Sequence, residues 1–150
     1  MLLERGAAHV VAVDVGHGQI DPVLAADTRL TVLEGLNARD LVQAQIAGRR
    51  IDAVVADVSF ISLRLALPPA LALAEPGAWG VFLVKPQFEA GREAVGRSGV
   101  VRDPAVADKV AADIAFWLEA ALKWRIAGLV PSPIGGGSGN REFLIGARRG

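Results

Sequence analysis

Two strand-like runs in this chain each end on a charged residue. Ala53-Val54-Val55-Ala56 leads into Asp57 and then Val58-Ser59-Phe60; Val81-Phe82-Leu83-Val84 leads into Lys85 and then Pro86-Gln87-Phe88-Glu89. Both runs are apolar and rich in β-branched and aromatic residues, as in buried strands. In a parallel sheet, the loops at the carboxyl ends of the strands form the crevice where ligands bind. A carboxylate and an ammonium leaving two successive strands are therefore expected at one edge. A partly desolvated Lys beside a carboxylate can accept a proton or stabilise developing negative charge. The plain alternative is a solvated strand-end Lys, so the two residues argue more strongly as a pair than singly.

Other residues carry weaker signals. Asp14 ends His9-Val10-Val11-Ala12-Val13 just before Gly16 and Gly18, where an acid can accept hydrogen bonds from ribose hydroxyls or simply cap a turn. Asp21 stands where a G-x-G-x-x-G fingerprint needs its third glycine. His17 reads as an ordinary loop residue. Glu142 heads the last strand, beside Arg141 and after the loop Gly135 to Gly139, which lacks the Lys-Ser/Thr ending of a phosphate-binding loop and reads as a hairpin turn. Arg92, Arg97 and Arg102 could grip a phosphate backbone or lie solvated. No His, Asp or Glu cluster has metal-ligand spacing, so no metal is expected.

The elements that must hold these residues alternate. Leu2 to Ala8 resembles a helix tail ending at Gly6, which would continue a longer polypeptide. Strands are expected over His9–Asp14, Thr28–Leu33, Ala53–Asp57, Val81–Lys85, Trp124–Val130 and Glu142–Ala147. Ala38 to Ala47 reads as a short helix, and Ile61 to Leu73 as a helix broken or restarted at Pro68-Pro69. A long polar loop is expected over Pro86 to Arg102. Asp103 caps a helix with Pro104 at its first position and apolar residues at Val106, Val110, Ile114, Trp117, Leu118 and Ala121. The alternation predicts an α/β fold: a mostly parallel sheet with helices on both faces and a terminal antiparallel hairpin adding an edge strand.

Composition bounds the possibilities. The 150 residues fit one domain, with 52% hydrophobic and 21% charged residues. Sixteen Lys and Arg balance sixteen Asp and Glu, so no overall basic footprint for nucleic acid exists, and RNA affinity would need a local patch or another domain. The absence of Cys excludes disulfides and thiolate metal sites. The most apolar stretch, Ile51 to Ala74, carries Asp52, Asp57, Arg64 and two prolines, which argues against a membrane span. With no signal-peptide core at the start, a soluble, cytoplasmic protein is expected.

Several segments together resemble the TlyA (hemolysin A-like) ribosomal RNA 2′-O-ribose methyltransferases of the FtsJ-like class. These are Leu2-Leu3-Glu4-Arg5-Gly6-Ala7, Ala12-Val13-Asp14-Val15-Gly16-His17-Gly18-Gln19, Leu33-Glu34-Gly35-Leu36-Asn37-Ala38-Arg39, Ala56-Asp57-Val58-Ser59-Phe60-Ile61-Ser62-Leu63, Leu83-Val84-Lys85-Pro86-Gln87-Phe88-Glu89-Ala90-Gly91-Arg92, Gly99-Val100-Val101-Arg102-Asp103-Pro104 and Gly139-Asn140-Arg141-Glu142-Phe143. The resemblance implies a class I S-adenosylmethionine-dependent methyltransferase fold, Rossmann-like, with a seven-stranded sheet and a Lys-Asp-Lys-Glu catalytic set. Asp57, Lys85 and Glu142 match the last three members. It also implies S-adenosyl-L-methionine as cofactor, held by Asp14, Val15, Glu34, Asn37 and Asp57, and ribosomal RNA or ribosomal subunits as partners, with no DNA and no membrane.

By the same resemblance, residues 1–150 are a partial domain. An S4-like RNA-binding domain, the first catalytic Lys, and the first strand with its Gly-rich turn are expected upstream. That strand would be the central one, between those ending at Asp14 and Asp57. Two other functions compete: a non-catalytic RNA- or protein-binding module retaining the fold, and membrane lysis, which no amphipathic basic helix supports.

Overall fold

The computed structural model describes residues 1–91, 93–96, 99–136 and 139–150, which divide into two compact units, residues 1–49 and 50–150. In the first unit, β1 (Val10–Asp14) and β2 (Leu30–Glu34) pair in parallel, from Val10 opposite Leu30 to Asp14 opposite Glu34. Between them lies a one-turn helix, α1 (Pro22–Ala25), capped by Asp21, whose carboxylate accepts the Val23 amide at 2.8 Å. The expected helix tail at the start is a set of turns, in which the Gly6 amide bonds the Leu3 carbonyl at 3.2 Å and Gly6 takes φ 92°. The expected helix over Ala38 to Ala47 is two short 3-10 segments, Ala38–Asp40 and Gln43–Ile46. Leu41 and Val42 are extended between them, and the Gln45 side chain takes the Val42 amide at 2.7 Å, a local bond that competes with a continuous helix.

The second unit is a four-stranded sheet in the order β3 (Ile51–Ala56), β4 (Ala74–Val84), β6 (Phe143–Arg149), β5 (Trp124–Pro131). β3 and β4 are parallel, and β6 runs antiparallel to both β4 and β5. The reversed strand was expected at the sheet edge; it lies instead between β4 and β5. The burial explains this. β6 hides Phe143, Ile145 and Ala147, whereas β5 exposes Arg125, Gly128 and Val130 and ends on Pro131, as edge strands tolerate.

The helix α2 (Leu63–Leu73) is capped by Ser62 and runs through Pro68 and Pro69 without breaking. Those prolines remove the amides that would bond the carbonyls of Arg64 and Leu65. Both residues are exposed, so water can take the freed acceptors while Leu63, Ala66, Leu67 and Leu71 stay buried. α3 (Pro86–Glu89) is one turn within the segment expected to be loop. α4 (Pro104–Leu122) starts as expected, the Asp103 carboxylate accepting the Ala105 amide at 2.9 Å, and buries Ala107, Ala111, Ile114, Ala115 and Leu118. Ala121 is exposed, so the apolar face is centred nearer the small residues than the large ones suggested.

Leu63, Leu67 and Leu71 of α2 and Ile114 and Leu118 of α4 share one core with Phe82, Val84, Trp124 and Ile145. Both long helices thus lie on one face of this sheet. Right-handed crossovers from β3 to β4 and from β4 to β5 progress in one direction and so fall on the same side. The other face carries Val55, Trp79 and Val81, which are exposed.

Candidate active site

β3 and β4 run in register with Ala56 opposite Phe82, so Asp57 and Lys85 leave neighbouring parallel strands at their carboxyl ends. There they meet. Lys85 Nζ lies 2.7 Å from Asp57 Oδ1. The Lys85 side chain is only 15% exposed and that of Asp57 is 68%, so a sheltered stem delivers the amine to a carboxylate facing water. Lys85 Nζ also donates to Ser59 Oγ at 3.0 Å. Ser59 carries no charge to mark it in the sequence. Its signal is the Asp-x-Ser spacing, which puts both side chains on one side of an extended exit.

The two exits are tied at further points. Phe60, 92% exposed and with φ 64°, sets its ring 5.1 Å from that of Phe88. Glu89 accepts the Ser62 hydroxyl and the Leu63 amide, both at 2.6 Å, so the exit of β4 caps the helix that follows β3.

Glu142 reaches this edge through β6. Val84 pairs with Phe143, so the next antiparallel position sets Lys85 opposite Glu142. Among the described residues its carboxylate makes no direct bond to Lys85. The side chain lies against Gly136, where an added Cβ would come within 2.3 Å of Glu142 Oε1. Nearby, the buried Asn140 accepts the Val101 amide and donates to the Gly99 carbonyl, both at 3.1 Å, joining this corner to the segment before α4. The Gly136 amide bonds the Asn140 carbonyl at 3.0 Å, consistent with a hairpin turn; Gly137 and Ser138 lie outside the described residues. So do Arg92 and Arg97, while Arg102 is exposed.

In the first unit, Asp14 and Glu34 end paired strands, and both carboxylates serve the turn that follows β1. Asp14 Oδ1 accepts the Gly16 amide at 2.7 Å. Glu34 Oε2 and Oε1 accept the amides of Gly18 and Gln19, each at 2.9 Å. Those amides, Gly18 first, hold the Glu34 carboxyl below its ordinary range. Asn37 caps the 3-10 segment by accepting the Arg39 amide at 3.2 Å, and Val15 is 67% exposed. His17 stacks over Gly35, where a Cβ would come within 2.7 Å of its Nε2. No group of residues able to hold a metal occurs among the described residues, and no described helix is long and apolar enough to cross a membrane.

The architecture is that of the methyltransferases. NodS, an N-methyltransferase of Bradyrhizobium japonicum solved with S-adenosyl-L-homocysteine, matches with TM-score 0.60 over 94% of this chain and 66% of that one. At 16% identity this is a likeness of fold alone. The chain belongs to the FtsJ-like methyltransferase family, whose profile matches residues 1–149. It is 47% identical over 148 residues to the 16S/23S rRNA (cytidine-2′-O)-methyltransferase TlyA of Mycobacterium tuberculosis, covering 99% of this chain and 54% of that protein. A solved structure from Lactococcus lactis that bears a hemolysin name is 40% identical, with TM-score 0.92 over 99% of this chain and 71% of that one. The chain spans about half the length of the curated relatives it matches.

Proposed function

We propose that this chain carries the methyl-transfer site of an enzyme that methylates ribose 2′-hydroxyls of ribosomal RNA from S-adenosylmethionine. The observation that carries this reading is the 2.7 Å contact of Lys85 with Asp57 at two adjacent strand exits. When bound, the cofactor supplies a methyl group on a sulfonium for in-line transfer to the ribose oxygen. Lys85 is the group that meets that oxygen: an N–H of its ammonium lowers the pKa of the hydroxyl and stabilises the charge that develops as the new O–C bond forms, the hydroxyl proton leaving to water. Asp57 orients the amine and balances its charge. Glu142, opposite Lys85 in the ladder, completes the polar edge. Phe60 offers an exposed ring on which an unpaired base can stack.

The residues expected to hold the cofactor fit it in part. Asp14 presents an exposed carboxylate at a strand end, suited to the hydroxyls of a ribose. Glu34 accepts one amide on each oxygen, from Gly18 and Gln19, which fixes its orientation beside the turn and leaves a lone pair on each oxygen for the cofactor.

On this reading the work is cytoplasmic and the partner is ribosomal RNA, free or within a ribosomal subunit. The balanced charge of the chain leaves most RNA affinity to other parts of such an enzyme. An S4-like domain, a further catalytic Lys, and the strand with a Gly-rich turn would supply them. Calorimetric titration with S-adenosylmethionine tests the reading. Saturable binding that Asp14→Ala weakens supports it; no binding at millimolar cofactor leaves a non-catalytic module with this fold.

A further inference from the structure

We infer that Ser59 is a positioning residue for Lys85, fixing the direction in which the amine meets the substrate hydroxyl; this rests on the methyl-transfer reading of the site. A primary ammonium has three tetrahedrally arranged hydrogens. Asp57 Oδ1 at 2.7 Å and Ser59 Oγ at 3.0 Å engage two of them, which fixes the third. Asp57 alone cannot do this, because a single contact leaves the amine free to rotate about the Nζ···Oδ1 axis, and Ser59 Oγ removes that rotation. Both side chains are exposed, and the backbone that carries Ser59 is tied in place. The residue after it, Phe60, takes φ 64°, a conformation that bulky L-residues rarely adopt and that persists only where surrounding contacts enforce it. Those contacts are present. Phe60 packs on Phe88 at 5.1 Å, and Glu89 binds the Ser62 hydroxyl and the Leu63 amide at 2.6 Å. Each tie joins the β3 exit to the β4 exit, so the Ser59 hydroxyl is carried on the same frame as Lys85.

The test reads the amine directly and does not need turnover. The sequence has three lysines, Lys85, Lys109 and Lys123, so their side-chain nitrogen-15 NMR signals are assigned with one Arg substitution each. In the parent chain, the Lys85 ammonium protons should exchange with water several-fold more slowly than those of Lys109, whose side chain is 74% exposed. Ser59→Ala should speed exchange at Lys85 several-fold while leaving Lys109 and Lys123 unchanged, and Ser59→Thr should restore it. Unchanged Lys85 exchange in Ser59→Ala overturns the inference, as does a parent Lys85 that exchanges as fast as Lys109. In a methylation assay, Ser59→Ala should lower kcat about tenfold with KM unchanged, and Ser59→Thr should recover it. Failure of methylation in the parent protein would count against the methyl-transfer reading and leave the NMR result standing.

Discussion

A single methyl group at Gly136 is enough to reach the site. Its Cβ would run into the Glu142 side chain, coming within 2.8 Å of Cγ and closer still to Cδ and Oε1, so the whole side chain must swing aside. Gly136→Ala is expected to lower methyl transfer about tenfold while thermal unfolding changes little, which paired activity and melting measurements check. Asp57→Asn keeps the shape and removes the charge beside Lys85; kcat should fall by about 10²-fold or more, as single-turnover kinetics would show. Asp57 and Lys85 were legible in the sequence because each interrupts an apolar run at its last position. Ser59 was not, because a serine two residues past a strand end is ordinary in a loop, and only the tertiary approach of Lys85 gives it a partner.

Helix ends and strand order carry the consequences at the level of elements. Arg149, in the last strand, donates through Nη1 to the carbonyls of Leu71 and Ala72 at 3.3 and 3.2 Å and also to that of Ala74, closing the carboxyl end of α2. Arg149→Ala is expected to cost about 1–3 kcal/mol, read from the urea midpoint, with Arg149→Lys recovering part of it. The turn after β1 answers to pH. Folding holds the Glu34 carboxyl below its ordinary 4.5, so its support for the amides of Gly18 and Gln19 is complete above about that pH. It is lost as pH falls through the lowered value. The protection of the Gly18 and Gln19 amides, taken relative to intrinsic exchange at each pH, should therefore fall below pH 4.5, and Glu34→Gln should abolish that pH dependence. Strand existence was readable from apolar runs, but strand order was not. The place of β6 depends on its apolar residues being buried between two neighbours, a tertiary preference that pairing it with β5 as a hairpin does not reveal.

Across the whole molecule, the buried core belongs almost entirely to residues 50–150. Ile46 is the buried hydrophobic residue of the first unit among the described residues, whereas the second buries Phe82, Trp124, Ile145 and fifteen others. Hydrogen exchange should follow: amides of β4 and β6 should be the slowest, and those of β1 and β2 should exchange at markedly lower opening free energy. Comparable protection in both units would contradict this. The fold class was legible because strands and helices alternate in the sequence. The division into two units did not follow from strand periodicity, which reads β1 and β3 alike as buried strands. The central claim is that Lys85 performs methyl transfer to ribose, and mass spectrometry of nucleosides from ribosomal RNA incubated with S-adenosylmethionine and the protein tests it most directly. The account predicts a 2′-O-methylated nucleoside with the parent and none with Lys85→Ala, although that variant still binds the cofactor. Equal methylation by Lys85→Ala, or a methyl group found on a base instead of a ribose, would contradict it.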